Sequence, residues 1–282
     1  MLHDTATLTT SDGHTLHRQW WFPDGEPKAV IMLVHGLGEH AGRYGHVAER
    51  LVGSGYAVEA IDHRGHGRSS GDRAFVRGYD ELMSDMSIWR ATVTGAHPDL
   101  PLFVLGHSMG GNLAVGHALA EPDGIAGLVL SGPALEVGDD LAPWKLTIFS
   151  LVAKVAPKVR PEALSADAIS RDPAVVEAYR NDPLVYTGKI SAGMGAALIG
   201  AMQSFPDRYH ELEMPILLLH GTDDQLANIE GSRTLERSAV NAAVTARYYD
   251  GLFHEVFNEP EQGRVLDDLV EWLDTTTGTI AS

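Results

Sequence analysis

From residue 29 to residue 131 the chain alternates between short apolar runs and longer mixed segments. Ala29-Val30-Ile31-Met32-Leu33-Val34 is apolar without interruption, which predicts a strand buried on both faces. Residues 57–61, 102–105 and 127–131 repeat that signal, and the stretches 44–54, 79–95 and 109–120 between them carry a helical period. Ahead of this region, alternating residues at 6–10 and 14–22 flank Asp12-Gly13 and predict a β-hairpin. The alternation stops between Pro133 and about Pro206. That segment holds the apolar stretch from Trp144 to Val152, breaks at Asp172-Pro173 and Asp182-Pro183, and the glycine-punctuated run from Gly193 to Met202. It predicts several short helices and no strand. Strand and helix signals then resume at 215–220, 228–240, 246–249 and 261–273. The pattern predicts an α/β domain, a mostly parallel sheet with helices on both faces. Residues 1–132 and 207–282 form its core, and 133–206 are inserted as a helical cap.

One strand-to-helix junction carries candidate chemistry. Gly106-His107-Ser108-Met109-Gly110 follows the apolar run Leu102-Phe103-Val104-Leu105 and opens a helix of small residues. A serine on so sharp a turn presents its oxygen away from its own backbone, and the glycines on either side leave room for neighbouring chain. The context resembles the nucleophile elbow of α/β-hydrolases. Gly67-Arg68-Ser69-Ser70-Gly71 fits the same spacing but lacks a strand before it and a helix after it, so Ser108 and not Ser69 is the expected nucleophile.

A serine hydroxyl needs a base within hydrogen-bond reach. In open α/β sheets, sites lie beyond the carboxyl ends of the strands. Among 14 histidines, His254 alone follows the last strand, in Asp250-Gly251-Leu252-Phe253-His254-Glu255. His220 ends a strand and reads as packed, and His117 lies inside a helix. The base needs a carboxylate, placed between serine and histidine in the chain order of this fold. Asp223 and Asp224 compete for that place in Gly221-Thr222-Asp223-Asp224-Gln225. Asp224 is favoured by its spacing from the strand-ending glycine, and Asp139 and Asp140 are a more distant choice. Two converging N–H groups must meet the oxyanion. Met109, next after the serine, supplies one. Leu37, in the glycine-rich loop His35-Gly36-Leu37-Gly38-Glu39-His40, supplies the other, and His35 ties that loop by a side-chain hydrogen bond.

Composition narrows the chemistry. The chain has 282 residues, 44% of them hydrophobic, enough for one large core. It has no cysteine, which excludes disulfides, thiolate catalysis and cysteine-ligated metal. A formal charge of −17 opposes nucleic acid and anionic membrane as partners and suits a neutral substrate, and it reads at least as readily as a solvated acidic surface suited to salty surroundings. No secretory segment precedes the hairpin and no apolar run is long enough to span a bilayer, so a cytoplasmic protein, peripheral to membranes at most, is expected.

Longer motifs are more specific than the elbow. They are His35-Gly36-Leu37-Gly38-Glu39-His40 with Arg43-Tyr44, Asp62-His63-Arg64-Gly65-His66-Gly67-Arg68-Ser69, Gly106-His107-Ser108-Met109-Gly110-Gly111, Ile169-Ser170-Arg171-Asp172-Pro173, Tyr179-Arg180-Asn181-Asp182-Pro183-Leu184 and His220-Gly221-Thr222-Asp223-Asp224. Together they resemble the bacterial monoacylglycerol lipases, a group that includes the mammalian enzyme, from about Trp20 to Leu273. The resemblance implies hydrolysis of monoacylglycerol to glycerol and fatty acid without cofactor or metal. It implies a triad at Ser108, Asp224 and His254, oxyanion donors at Leu37 and Met109, and head-group contacts at Arg43 and Tyr179. A histidine found three residues after the catalytic one in the mammalian relative is Phe257 here. Met194, Leu198 and Ile199 in the cap are candidate acyl-chain contacts, although each taken singly reads more readily as cap core. The apolar cap is the surface expected to touch lipid transiently. The rival readings are a lysophospholipase, a broad carboxylesterase, or a ligand receptor on the same scaffold. Nothing in the pattern specifies an oligomeric state.

Overall fold

The structure, a computed structural model, describes residues 1–138, 153–161 and 165–280. The apolar runs become one eight-stranded sheet in the order β1-β2-β4-β3-β5-β6-β7-β8. Its strands are β1 (Leu2–Thr9), β2 (Thr15–Phe22), β3 (Val30–Val34), β4 (Ala57–Ile61), β5 (Leu102–His107), β6 (Ile125–Ser131), β7 (Ile216–Gly221) and β8 (Val244–Tyr249). The hairpin partners β1 and β2 are antiparallel, and β2 pairs antiparallel with β4. Every other neighbouring pair is parallel.

The period of two within each strand sorts the core into two layers. Val30, Met32 and Val34 of β3 and Leu102 and Val104 of β5 face one layer, and Ile31, Leu33, Phe103 and Leu105 face the other. The first layer is closed by α2 (Tyr79–Ala96), α3 (Met109–Ala120) and α6 (Ile229–Ser238), through Met86, Trp89, Leu113 and Leu235. The second is closed by α1 (Gly45–Gly53) and α7 (Gln262–Ile280), through Val47, Leu51, Val265 and Leu269. The two helix-covered faces are the arrangement that the alternation predicts.

One boundary differs from the sequence pattern. The helical signal stops at Leu273, yet α7 runs on to Ile280. The added turns contain four threonines, poor helix formers on their own. Three of their hydroxyls instead bond carbonyls one turn back, Thr275 to Glu271 at 2.9 Å, Thr276 to Trp272 at 2.8 Å and Thr279 to Thr275 at 3.0 Å.

Between β6 and β7 the described residues contain no strand. Asp172 and Pro173 open α4 (Pro173–Asn181), where the aspartate carboxylate accepts from the Ala174 N–H and the proline fills a first-turn position. Asp182 ends that helix. The glycine-punctuated run becomes α5 (Ala192–Ser204), capped by Ser191, whose hydroxyl also donates to the Ala74 carbonyl at 2.7 Å. A Cβ on Gly193 would meet the Val76 carbonyl oxygen at 2.1 Å, so this glycine lets α5 sit directly on the loop before α2. Met194, Leu198 and Ala201 of α5 join the same layer as Met86 and Leu113. The apolar stretch from Trp144 to Val152 lies outside the described residues. No helix among the described residues is long and apolar enough to cross a membrane.

The parallel strands all point their carboxyl ends the same way, so the loops after β3, β5, β6, β7 and β8 gather on one edge. The approach of α3 to that edge is the tightest in the fold. A Cβ on Gly110 would stand 1.9 Å from the Val34 carbonyl oxygen. Gly110→Ala is therefore expected to lower unfolding free energy by about 3 kcal/mol or more, because backbone rather than a side chain must move. Urea denaturation of the two proteins measures the difference.

Candidate active site

Ser108 stands between β5 and α3 with φ +55° and ψ −119°, a left-handed conformation that a non-glycine residue adopts at a cost. Three bonds hold it there. Its N–H donates to the Ser131 carbonyl at 3.0 Å, and its carbonyl accepts from Asn112 at 3.1 Å and Ala134 at 3.0 Å. The second serine motif is different in kind. Ser69 is buried, donates to the Asp62 carbonyl at 2.5 Å and accepts from the His17 N–H at 2.8 Å, so its hydroxyl is committed to structure.

His254, on the loop after β8, approaches Asp224, on the loop after β7, with Nδ1 2.7 Å from Oδ2. The other carboxylate oxygen accepts from the Leu226 and Ala227 N–H groups at 2.8 and 3.0 Å. The Asp224 side chain is fully buried. Burial pushes its proton affinity up, but His254, first through its charge, and the nearby His220 prevail and hold it well below the usual carboxylate range. For His254 burial works downward, and Asp224 outweighs it, so its pKa stands above the ordinary histidine value. The adjacent Asp223 is exposed and meets only Thr222 and the loop backbone, so the structure brings Asp224 rather than Asp223 to the histidine. Asp139 and Asp140 lie outside the described residues.

Ser108 and His254 line one small pocket together with Leu37, Glu39 and Tyr179, walled on the far side by Ala166, Ile169 and Leu226. With Nδ1 engaged, Nε2 is the nitrogen His254 has free for the serine. Leu37, in the loop after β3, lines this pocket, Met109 follows Ser108 in the first turn of α3, and neither N–H donates to an acceptor among the described residues. The loop carrying Leu37 is held from both sides. Glu39 accepts the Gly36 N–H at 2.6 Å. His35 donates from Nδ1 to the Gly36 carbonyl at 2.7 Å and accepts the His63 N–H at Nε2. His35 packs its ring 4.3 Å from that of His63 and 5.4 Å from that of His66. All three are buried, and desolvation keeps them neutral, with pKa values below the ordinary one.

The head-group candidates separate. Tyr179 lines the pocket, and burial pushes its phenol well above the usual range. Arg43 lies behind it, 4.7 Å from the ring centroid, with its guanidinium donating to Glu39 at 2.5 Å and twice to Glu255 at 2.7 Å. Arg43 is thus engaged by two buried carboxylates rather than presented to the pocket. Met194 and Leu198 are buried between α5 and the sheet layer, Ile199 is half-buried, and none of the three lines this pocket. Helix spacing marks such residues as apolar without saying which face meets a ligand. Phe257 is buried against α7.

Glu39, Glu255, His107 and His220 were not singled out by the sequence as site residues. The first three line the pocket. Glu39 has a signal in the glycine-rich motif, and Glu255 is next to the base. The His107 ring lies 4.7 Å from that of His254, and burial first, then the charge of His254, lowers its pKa to about 4.

A family model for serine aminopeptidase, S33, matches residues 25–261. The monoacylglycerol lipase of Mycolicibacterium smegmatis is 46% identical over 253 residues, 90% of either chain. The human monoglyceride lipase is 32% identical over 98% of this chain and 92% of its own. The crystal structure of the Paleococcus ferrophilus monoacylglycerol lipase superposes with a TM-score of 0.84 at 32% identity, covering 93% of this chain and 99% of that one. The sheet and its helices are thus those of an α/β-hydrolase.

The packing of Arg43 makes it a stability residue as well. Arg43→Ala leaves Glu39 and Glu255 buried without their counter-charge and is expected to cost about 3–5 kcal/mol in urea unfolding. Arg43→Lys, which keeps the charge but loses the fork, should cost less.

Proposed function

The chain belongs to the serine aminopeptidase, S33 family of hydrolases, and we propose that it cleaves the ester bond of monoacylglycerols to glycerol and free fatty acid. The observation that carries this reading is the buried Asp224–His254 pair at 2.7 Å, whose histidine lines one pocket with a serine in the strained elbow conformation.

In this reading Ser108 Oγ attacks the ester carbonyl while His254 Nε2 takes its proton. Asp224 holds the Nδ1 tautomer and offsets the imidazolium charge. The tetrahedral oxyanion is met by the Leu37 and Met109 N–H groups. Collapse breaks the bond to the glycerol oxygen, which leaves with the proton from His254, and the acyl group stays on Ser108. Water then attacks the acyl-enzyme, giving up a proton to His254, and the fatty acid departs as Ser108 is reprotonated. These steps ask for no cofactor.

The segment 133–206 acts as the cap in this proposal, with α5 as its foot on the sheet domain. Ala166 and Ile169 from this segment close the pocket over Ser108, and Tyr179 is the polar group offered to the free hydroxyls of the head. Arg43 serves that end through the Tyr179 ring it lies against. Met194, Leu198 and Ile199 shape the acyl path by supporting the cap. Val155 and Val159, exposed by 78% and 50%, give the cap an apolar face for transient contact with a lipid surface.

Ser108→Ala is expected to lower kcat by roughly 10⁴–10⁶ with the fold unchanged, and a fluorophosphonate should label Ser108 stoichiometrically. Label on Ser69 instead would reject the assignment. A cap that admits one acyl chain and a small head predicts strong preference for mono- over triacylglycerol. Tyr179→Phe should weaken turnover of monoacylglycerol more than that of a methyl ester of the same acid. Comparable kcat/KM for mono- and triacylglycerols in matched dispersions would replace this reading with that of a broad carboxylesterase.

A further inference from the structure

Two imidazoles, not one, approach Asp224 Oδ2. His254 Nδ1 is 2.7 Å away and His220 Nε2 is 3.1 Å away. His220 ends β7, is fully buried, and does not line the pocket. Its other nitrogen, Nδ1, lies 2.8 Å from Oγ of Ser232 on α6, and Ser232 is fully buried too. The Nε2 contact is within reach but off the line of a well-formed hydrogen bond, and Nε2 has no other partner among the described residues. Its protonation still follows. An imidazole lone pair 3.1 Å from a buried carboxylate oxygen would set two lone pairs against each other. Nε2 therefore carries hydrogen, Nδ1 is the acceptor, and the Ser232 hydroxyl donates to it. The result is a one-way order: the Ser232 hydroxyl donates to His220 Nδ1, and the His220 Nε2–H stands 3.1 Å from the oxygen that takes the donor from His254.

We propose that His220, its tautomer set by Ser232, is a positioning residue that fixes Asp224 Oδ2 and shares its charge with His254. The inference rests on the reading of Asp224 as partner of the catalytic base. The Leu226 and Ala227 N–H groups hold only Oδ1, so they do not by themselves stop the carboxylate from tilting about that anchor. The positive end of the His220 Nε2–H dipole, 3.1 Å from Oδ2, also draws part of the negative charge of that oxygen away from His254. Without it, the His254 imidazolium is held more firmly, and the base keeps its proton to higher pH. The other titratable groups acting on His254 are Glu255, Glu39 and His107, and all are retained in the variants below.

The test is kcat and KM from pH 5 to 9 on 4-nitrophenyl butyrate for native protein, His220→Ala, His220→Gln, Ser232→Ala and Asp224→Asn. His220→Ala should lower kcat by about tenfold with KM within about twofold, and move the acid limb of kcat/KM up by about half to one pH unit. Ser232→Ala, which frees the His220 tautomer, should move the limb the same way by less. His220→Gln places an amide N–H where Nε2 stood and should return kcat to within about threefold of native and restore the limb. A limb unmoved or moved down in His220→Ala, or a glutamine variant no better than alanine at equal Tm, would overturn the proposal. If His220→Ala does not fold, an unmoved limb in Ser232→Ala overturns it alone. Asp224→Asn separates the two failures. Its full activity would remove the role of Asp224 itself, whereas its loss alongside a silent His220→Ala would remove only the role of His220.

Discussion

A serine held at φ +55° is the constraint on which the site depends. Such a residue costs on the order of 1–3 kcal/mol and persists only where its surroundings leave it no alternative. Here the surroundings are backbone. Ser131, Asn112 and Ala134 bond the two peptide groups of Ser108, and α3 lies against the end of β3 so closely that Gly110 has no room for a Cβ. The same tight crossing fixes the Met109 N–H, at the start of α3 and next after the serine in the chain. Relaxing the turn would turn Oγ away from the pocket and carry that N–H with it, so strain and position are one feature.

Around this turn the chain buries charge, and buries it in matched sets. Asp224 is shared between two histidines and two backbone N–H groups, and Arg43 between Glu39 and Glu255. Buried ion pairs seldom add much net stability, since desolvation offsets their attraction. Their effect here is on geometry. Glu39 consumes the Gly36 N–H, accepts from Tyr44 and ties down Arg43, so the next N–H in the loop, that of Leu37, is the one left free at the pocket. The carboxylate decides which donor of the loop stays free at the pocket.

How much of this was legible in the chain depended on the range of each signal. Strands such as 102–107 were plain because burial on both faces leaves an unbroken apolar run, and Ser108 because a sharp turn needs small neighbours. The placing of His254 followed from strand ends lying on one edge, and that of Asp224 between it and Ser108 from the chain order of the fold. Asp223 and Asp224 were separable only in part, because a one-residue step turns a side chain from solvent into the protein and short-range patterns do not record that. His220 reads as a packed strand residue and lies against Asp224 besides. Arg43, expected at the head group, is drawn off by Glu255, a residue 212 positions away. Met194 and Leu198 sit in the sheet-facing layer, and apolar spacing marks an inward face without naming what fills it.

The loop that carries Leu37 stands on three imidazoles, those of His35, His63 and His66, all dry and all uncharged. In the unfolded chain each takes up a proton once the pH falls below about 6.5, while the folded state refuses it. The stability they allow is therefore complete above that pH and drains away beneath it, at up to about 4 kcal/mol per pH unit when three protons are drawn in together. A domain of ordinary stability has little more than that to lose over two units of pH. Acidity thus reaches this protein through the footing of the loop, together with the similarly buried His107 and His117, as well as through the residues that would carry out the chemistry.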